Sequence, residues 1–189
     1  THWELQFANT DPKVFLDSMT FRDEAHGLAF SDSVDGAFVI IATTDGRTWT
    51  RVPADRLPPA LAGEGAFAAS GTNVAMDGPS HIWIGTTAGR VLRSADDGRT
   101  WAVAATPLAT GPAAGIFSIA FRDALHGVVV GGNYQKESGA VDNAATTSDG
   151  GATWTLVNDR RLSGFRSVVA WLPGATRALL AIGPTGADW

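Results

Sequence analysis

Three arginines are the side chains whose type and spacing come nearest to chemistry. Arg22 and Arg122 occupy the same phrase, Phe-Arg-Asp-x-x-His-Gly, at Phe21–Gly27 and Phe121–Gly127, while Arg166 stands without an adjacent acid. Guanidinium groups gathered in one place would read carboxylates or an anionic peptide through forked N–H donors. The competing use is local. Asp23 and Asp123 adjoin two of them, so Arg22 and Arg122 would brace a turn by short-range hydrogen bonds. Substituting Arg166 should then weaken partner binding and leave folding intact.

His26, His81 and His126 recur at one repeat position, which suits a structural turn. A metal site needs ligands converging from one region, so no metal is expected. Asp96, Asp97 and Asp149 are calcium-ligand types, but they lack the dense run of oxygen donors a calcium loop requires. No cofactor is expected either: Gly85-Thr86-Thr87-Ala88-Gly89 and the stretch 127–132 are glycine-rich, yet strands flank them and no helix follows to face a pyrophosphate.

The chain has 189 residues, 44% hydrophobic and 17% charged, with net charge −5 and no basic run longer than Arg160-Arg161. That excludes the electrostatic footprint of a nucleic-acid binder. The absence of Cys excludes disulfides and thiolate chemistry. No stretch approaches the ~20 apolar residues of a membrane helix, so no direct insertion is expected. Thr1-His2-Trp3-Glu4 does not read as a signal peptide, so the signal of an exported protein would be absent from this chain.

The elements that must position these residues come from a repeat. Seven Trp and 22 Gly point to a motif with one Trp per copy. Three segments align on Thr-Trp: Ala42–Trp49, Ser94–Trp101 and Thr147–Trp154, with Trp49, Trp101 and Trp154 at intervals of 52 and 53 residues. Asp96 and Asp149 would fix a tight turn by accepting backbone N–H groups, and Gly98, Gly151 and Gly46 supply its positive φ. Thr100, Thr153 and Thr48 re-enter a strand, and each Trp buries an aromatic surface. Thr44 stands where the other copies carry Asp, so the first turn should be held more weakly. Each period reads as four short strands, the pattern of a blade that packs on its neighbours around a ring.

These residues resemble the Asp-box (BNR) repeat, Ser/Thr-x-Asp-x-Gly-x-Thr-Trp. The phrases Phe121–Gly127, Phe67–Asn73, Trp83–Thr86 and Gly164–Val169 resemble the Ycf48-like, photosystem II stability and assembly factor family. The resemblance implies an all-β propeller of four-stranded blades, non-catalytic and extracytoplasmic (periplasmic or secreted). It would act as a scaffold or assembly factor for a protein partner such as an envelope or membrane complex, with Arg22, Arg122 and Arg166 lining the channel mouth. Sialidases share the Asp box, which makes a glycoside hydrolase the alternative. That chemistry needs a Tyr nucleophile paired with Glu, for which Tyr134 and Glu137 are the nearest candidates.

Family rings have seven blades, so the expectation here is an arc of about three and a half. Residues 1–10 read as an outermost closing strand whose own blade is absent, followed by blades at 11–57, 62–108 and 113–160 and a partial blade at 163–189. Such an arc would expose an apolar face, and self-association or a missing complementary segment is expected.

Overall fold

The computed structural model describes residues 2–174 and 178–189. Among these residues the strands form four antiparallel sheets, each a meander in chain order. Blade 1 holds β1 (Leu16–Phe21), β2 (Gly27–Val34), β3 (Ala37–Thr43) and β4 (Thr50–Arg51); blade 2 holds β5 (Val74–Asp77), β6 (His81–Gly85), β7 (Arg90–Ser94) and β8 (Ala102–Ala105). Blade 3 holds β9 (Ala114–Phe121), β10 (Gly127–Asn133), β11 (Ala144–Thr147) and β12 (Thr155–Leu156). Among the described residues blade 4 has three strands, β13 (Val168–Trp171), β14 (Leu179–Gly183) and β15 (Gly186–Asp188).

Alternation along each strand divides its side chains between two neighbours. On β6, Ile82 and Ile84 join Leu28, Phe30, Phe38 and Ile40 of blade 1 in one core. Trp83, between them, turns the other way, into a core with Ile116, Ile119 and Val129 of blade 3. Val128 and Val130 in turn meet Val169 and Ala181 of blade 4. The three cores therefore lie between blades. The valine, isoleucine and phenylalanine content of the strands is what a sheet buried on both faces requires.

The innermost strands β1, β5, β9 and β13 adjoin in succession. A chain of hydroxyls links three of them: Ser70 Oγ lies 2.8 Å from Thr72 Oγ1, which lies 2.7 Å from Ser118 Oγ, and Ser118 Oγ accepts the Val169 N–H at 3.0 Å. The Ser-Gly-Thr phrase before β5 thus positions hydroxyls where neighbouring blades meet. The N-terminus differs from expectation. Residues 2–10 form no strand, and Trp3 is 90% exposed; this segment meets blade 1 where Trp49 Nε1 donates to Gln6 Oε1 at 3.1 Å.

Candidate functional site

One side of the arc carries the Asp boxes. In the second, Asp96 Oδ1 accepts from Ser94 Oγ and from the Thr100 N–H, both at 2.8 Å, and Asp96 Oδ2 accepts from Thr100 Oγ1 at 2.6 Å. Asp149 repeats the arrangement with Thr147 and Thr153. These donors hold both carboxyls down at about 2, the threonine hydroxyls being the largest cause. The first box corrects the expectation of a weaker turn. Its loop is one residue shorter, so Asp45 takes the capping place; Asp45 Oδ1 accepts from Thr43 Oγ1 (3.0 Å) and from the N–H groups of Arg47 (2.8 Å) and Thr48 (2.6 Å). Each box also reaches the other turn of its own blade, through N–H groups of Gly46, Asp97 and Gly150 that donate to Ala25, Ser80 and Leu125 carbonyls.

The Phe-Arg-Asp-x-x-His-Gly phrase builds that second turn. Asp23 Oδ1 accepts from the N–H groups of Ala25 and His26 at 2.8 Å and lies 2.9 Å from His26 Nδ1, and Asp123 does the same with Leu125 and His126. His26 and His126 are turn residues, whereas His81 opens β6 opposite Asp77, in the place that Gly27 and Gly127 hold in their blades, which corrects its reading as a third copy of that turn position. Arg22 does more than brace this turn: its guanidinium crosses to blade 2, donating to Asp97 Oδ1 at 2.7 Å and to the Pro79 carbonyl, while Asp23 lies 4.0 Å away. Arg122 donates locally to Asp123 Oδ2 at 3.2 Å and also lies over the Trp171 ring of blade 4, 5.5 Å from its centre. With His126, Ser148, Thr155 and Trp171 it lines an open groove of about 300 Å³.

The three arginines are not brought together. Arg22 and Arg122 follow the ends of β1 and β9, whereas Arg166 precedes the start of β13, and like positions on the inner strands run alongside one another. Arg166 is also fully buried. Its Nε donates to Asp188 Oδ2 at 2.7 Å, and Ser163 Oγ, Thr185 Oγ1 and the Phe165 carbonyl take its remaining donors. The acid it lacked in sequence arrives from β15, 22 residues on. This corrects its reading as a partner-binding residue, because a guanidinium enclosed by four acceptors has nothing left to offer outside.

The opposite side holds features that the sequence reading did not assign. Glu64, in the connection between blades 1 and 2, is buried against Arg90 and accepts from Thr86 Oγ1 at 2.7 Å and the Leu61 N–H at 2.8 Å. Burial pushes its carboxyl up, but Arg90 and these donors outweigh it and hold it below the usual range. Phe67 stacks parallel on Phe117, with centroids 3.8 Å apart; Phe165 meets Phe117 edge-on, and Tyr134 meets both Phe67 and Phe117 edge-on at 6.2 Å. A signal for this cluster was present: Phe67, Phe117 and Phe165 recur 50 and 48 residues apart, close to one repeat. Among the described residues no hydrogen bond joins Tyr134 and Glu137; the Tyr134 ring packs on Phe67 and Phe117.

No protein-family model matches the chain, and no curated protein matches it. Solved structures do. One, described as YCF48 bound to D1 peptide, is 18% identical with a TM-score of 0.59 over 91% of this chain. The fold is that of a β-propeller. A glycoside hydrolase family 74 xyloglucanase from Xanthomonas campestris is likewise 18% identical, with a TM-score of 0.55 over 90% of this chain. The chain spans 49% of the YCF48 chain and 29% of the xyloglucanase. One propeller scaffold therefore accommodates a peptide-bound protein and a hydrolase, so the likeness gives the fold and not a use.

Proposed function

We propose that this chain is a non-catalytic propeller that binds a partner protein through the grooves and loops at its rims. Arg122 carries the reading. Its side chain is 31% exposed and lies in the groove with His126, Ser148 and Thr155, where a carboxylate on a partner segment meets guanidinium, imidazole and hydroxyl donors. The carboxylates Asp96, Asp149, Glu64 and Asp188 support it from the other direction, because each already accepts structural hydrogen bonds or an ion pair. A similar solved propeller, described as YCF48 bound to D1 peptide, is peptide-bound and supports this reading.

The same reading has the chain act outside the cytoplasm on an envelope or membrane complex, which fractionation of the producing cell would test. Self-association belongs to it as well. Phe15 and Met19 on blade 1 and Ile182 on blade 4 are exposed apolar residues, and light scattering of the purified chain would report any oligomer.

The direct test is titration of an acidic-peptide panel against the wild-type chain, Arg122→Ala and Arg122→Lys. Binding lost in the alanine variant and partly kept in the lysine variant is expected; equal affinity across all three would sink the Arg122 reading. Turnover of fluorogenic sialosides or of xyloglucan, abolished by Tyr134→Phe, would replace it with a hydrolase.

A further inference from the structure

Arg22 and Arg122 hold matching places in blades 1 and 3, and the residues around them match as well. Strand pairing sets Gly27 opposite Thr43 and Gly127 opposite Thr147, so Arg22, His26, Gly27, Thr43 and Thr44 correspond to Arg122, His126, Gly127, Thr147 and Ser148. Each set walls a pocket against the following blade. At the first junction that pocket already holds a carboxylate. The Asp box of blade 2 enters it with Asp97 and Gly98, and Asp97 Oδ1 accepts from Arg22 Nη2 at 2.7 Å. The chain thus carries its own example of what this set of residues binds.

The second junction has the same wall without the acid. Among the described residues no Asp or Glu lines the Arg122 groove, and blade 4 contributes Trp171 to it. The Arg122 side chain is 31% exposed where that of Arg22 is 11%. Asp123 Oδ2 at its Nε and the Trp171 ring beneath it hold Arg122 in place, so a ligand meets a guanidinium that needs little ordering. The internal example also specifies the backbone that delivers the carboxylate. Asp97 has φ 60° and Gly98 φ 75°, a left-handed pair that aspartate followed by glycine adopts readily in a tight turn. The net charge of −5 disfavours an acidic tract, which the whole molecule would repel, and leaves a single carboxylate delivered at close range.

We propose that the Arg122 groove binds a partner protein through one aspartate at a tight turn, followed by glycine, in an otherwise uncharged segment. The guanidinium takes the carboxylate as Arg22 takes Asp97, and the glycine holds its half of the turn at positive φ without a Cβ penalty. Resting on the reading of Arg122 as a partner contact, this narrows its ligand from carboxylates at large to one turn.

The test is calorimetric titration of the full chain with a cyclic hairpin peptide whose two-residue turn is Asp-Gly and whose strands are uncharged. The chain's own Asp35-Gly36 turn, at φ 52° and 81° between the paired Val34 and Ala37, shows that such a hairpin takes the required shape. Saturable binding is expected. The Asn-Gly hairpin keeps the shape and loses the charge, and should bind about ten-fold more weakly. A linear peptide of the same composition should also lose about ten-fold, because its turn is not preformed. Arg122→Ala should abolish binding and Arg122→Gln should leave a weak remainder, with near-ultraviolet circular dichroism confirming that both fold. Equal binding of the Asp-Gly and Asn-Gly hairpins, or of the cyclic and linear peptides, would overturn the proposal. A hairpin that fails to bind while linear acidic peptides bind through Arg122 would overturn it and leave the Arg122 reading standing; hairpin affinity unchanged in Arg122→Ala would remove both. Self-association that Asp35→Asn abolishes, read by light scattering, would give the groove to a second copy of this chain and overturn its assignment to a separate partner.

Discussion

The ring of Phe121 fills the space that a side chain on Gly127 would need: a Cβ there would stand 2.6 Å from the ring. The two are cross-strand partners in β9–β10, and Phe21 with Gly27 repeats the arrangement at 2.6 Å in β1–β2. The first and last residues of the Phe-Arg-Asp-x-x-His-Gly phrase thus specify one another, an aromatic ring covering a strand glycine.

Gly127→Ala should destabilise the fold by about 1 to 3 kcal/mol through overpacking. Phe121→Leu should recover part of that loss when combined with it. Urea unfolding of the two single variants and the double variant measures the coupling, and strictly additive losses would refute the packing account.

Arg166→Ala should cost about 3 kcal/mol, since it removes a buried cation and strands the Asp188 carboxylate. The unfolding midpoint reports this directly. A variant as stable as wild type would return Arg166 to the surface role expected from sequence.

Asp17 sets a pH dependence. Its carboxyl is 7% exposed with Oδ2 unpartnered; burial first, then the Asp32 carboxylate, raise it to about 7 from an ordinary 3.8. A folded-state value above the unfolded one means the native state holds the proton more tightly, so this group's contribution is full below about pH 4 and lost as pH rises to about 7. Melting curves between pH 4 and 8 should slope downward in wild type and flatten in Asp17→Asn. Asp96 and Asp149 act oppositely, losing their contribution as pH falls from about 4 to about 2.

Asp45→Ala should lower the melting temperature by an amount similar to Asp149→Ala, because both carboxylates cap their turns through the same strand re-entry N–H. Thr44→Asp should add nothing. A gain in stability from Thr44→Asp would show that the first turn does lack its cap.

The blade pattern was legible because local chemistry repeats with it: turn aspartates, positive-φ glycines and strand alternation all lie within a few residues of one another. The shorter first box was misread because an ungapped alignment placed Thr44 opposite Asp96, whereas the shorter loop needs its acceptor one residue later, at Asp45. Arg166 was misread for a different reason. Its partner Asp188 belongs to another strand, and no spacing rule ties positions 166 and 188. Arg22 likewise found Asp97 across a blade boundary 75 residues away. Contacts within a hairpin were readable, and contacts beyond one, across a sheet as for Arg166 or between sheets as for Arg22, were not.

The placement of the cores has a consequence for how such chains arise. Every core of this arc draws residues from two consecutive blades, so no blade encloses an interior of its own. Copying one repeat in a gene adds a sheet, but its fitness depends on the junctions made with both flanking sheets. Duplication acts on single units while selection acts on junctions. The turn chemistry is recognisable from copy to copy, while the packed residues at one equivalent position differ, Trp83 in one blade against Ala29 and Val129 in the others.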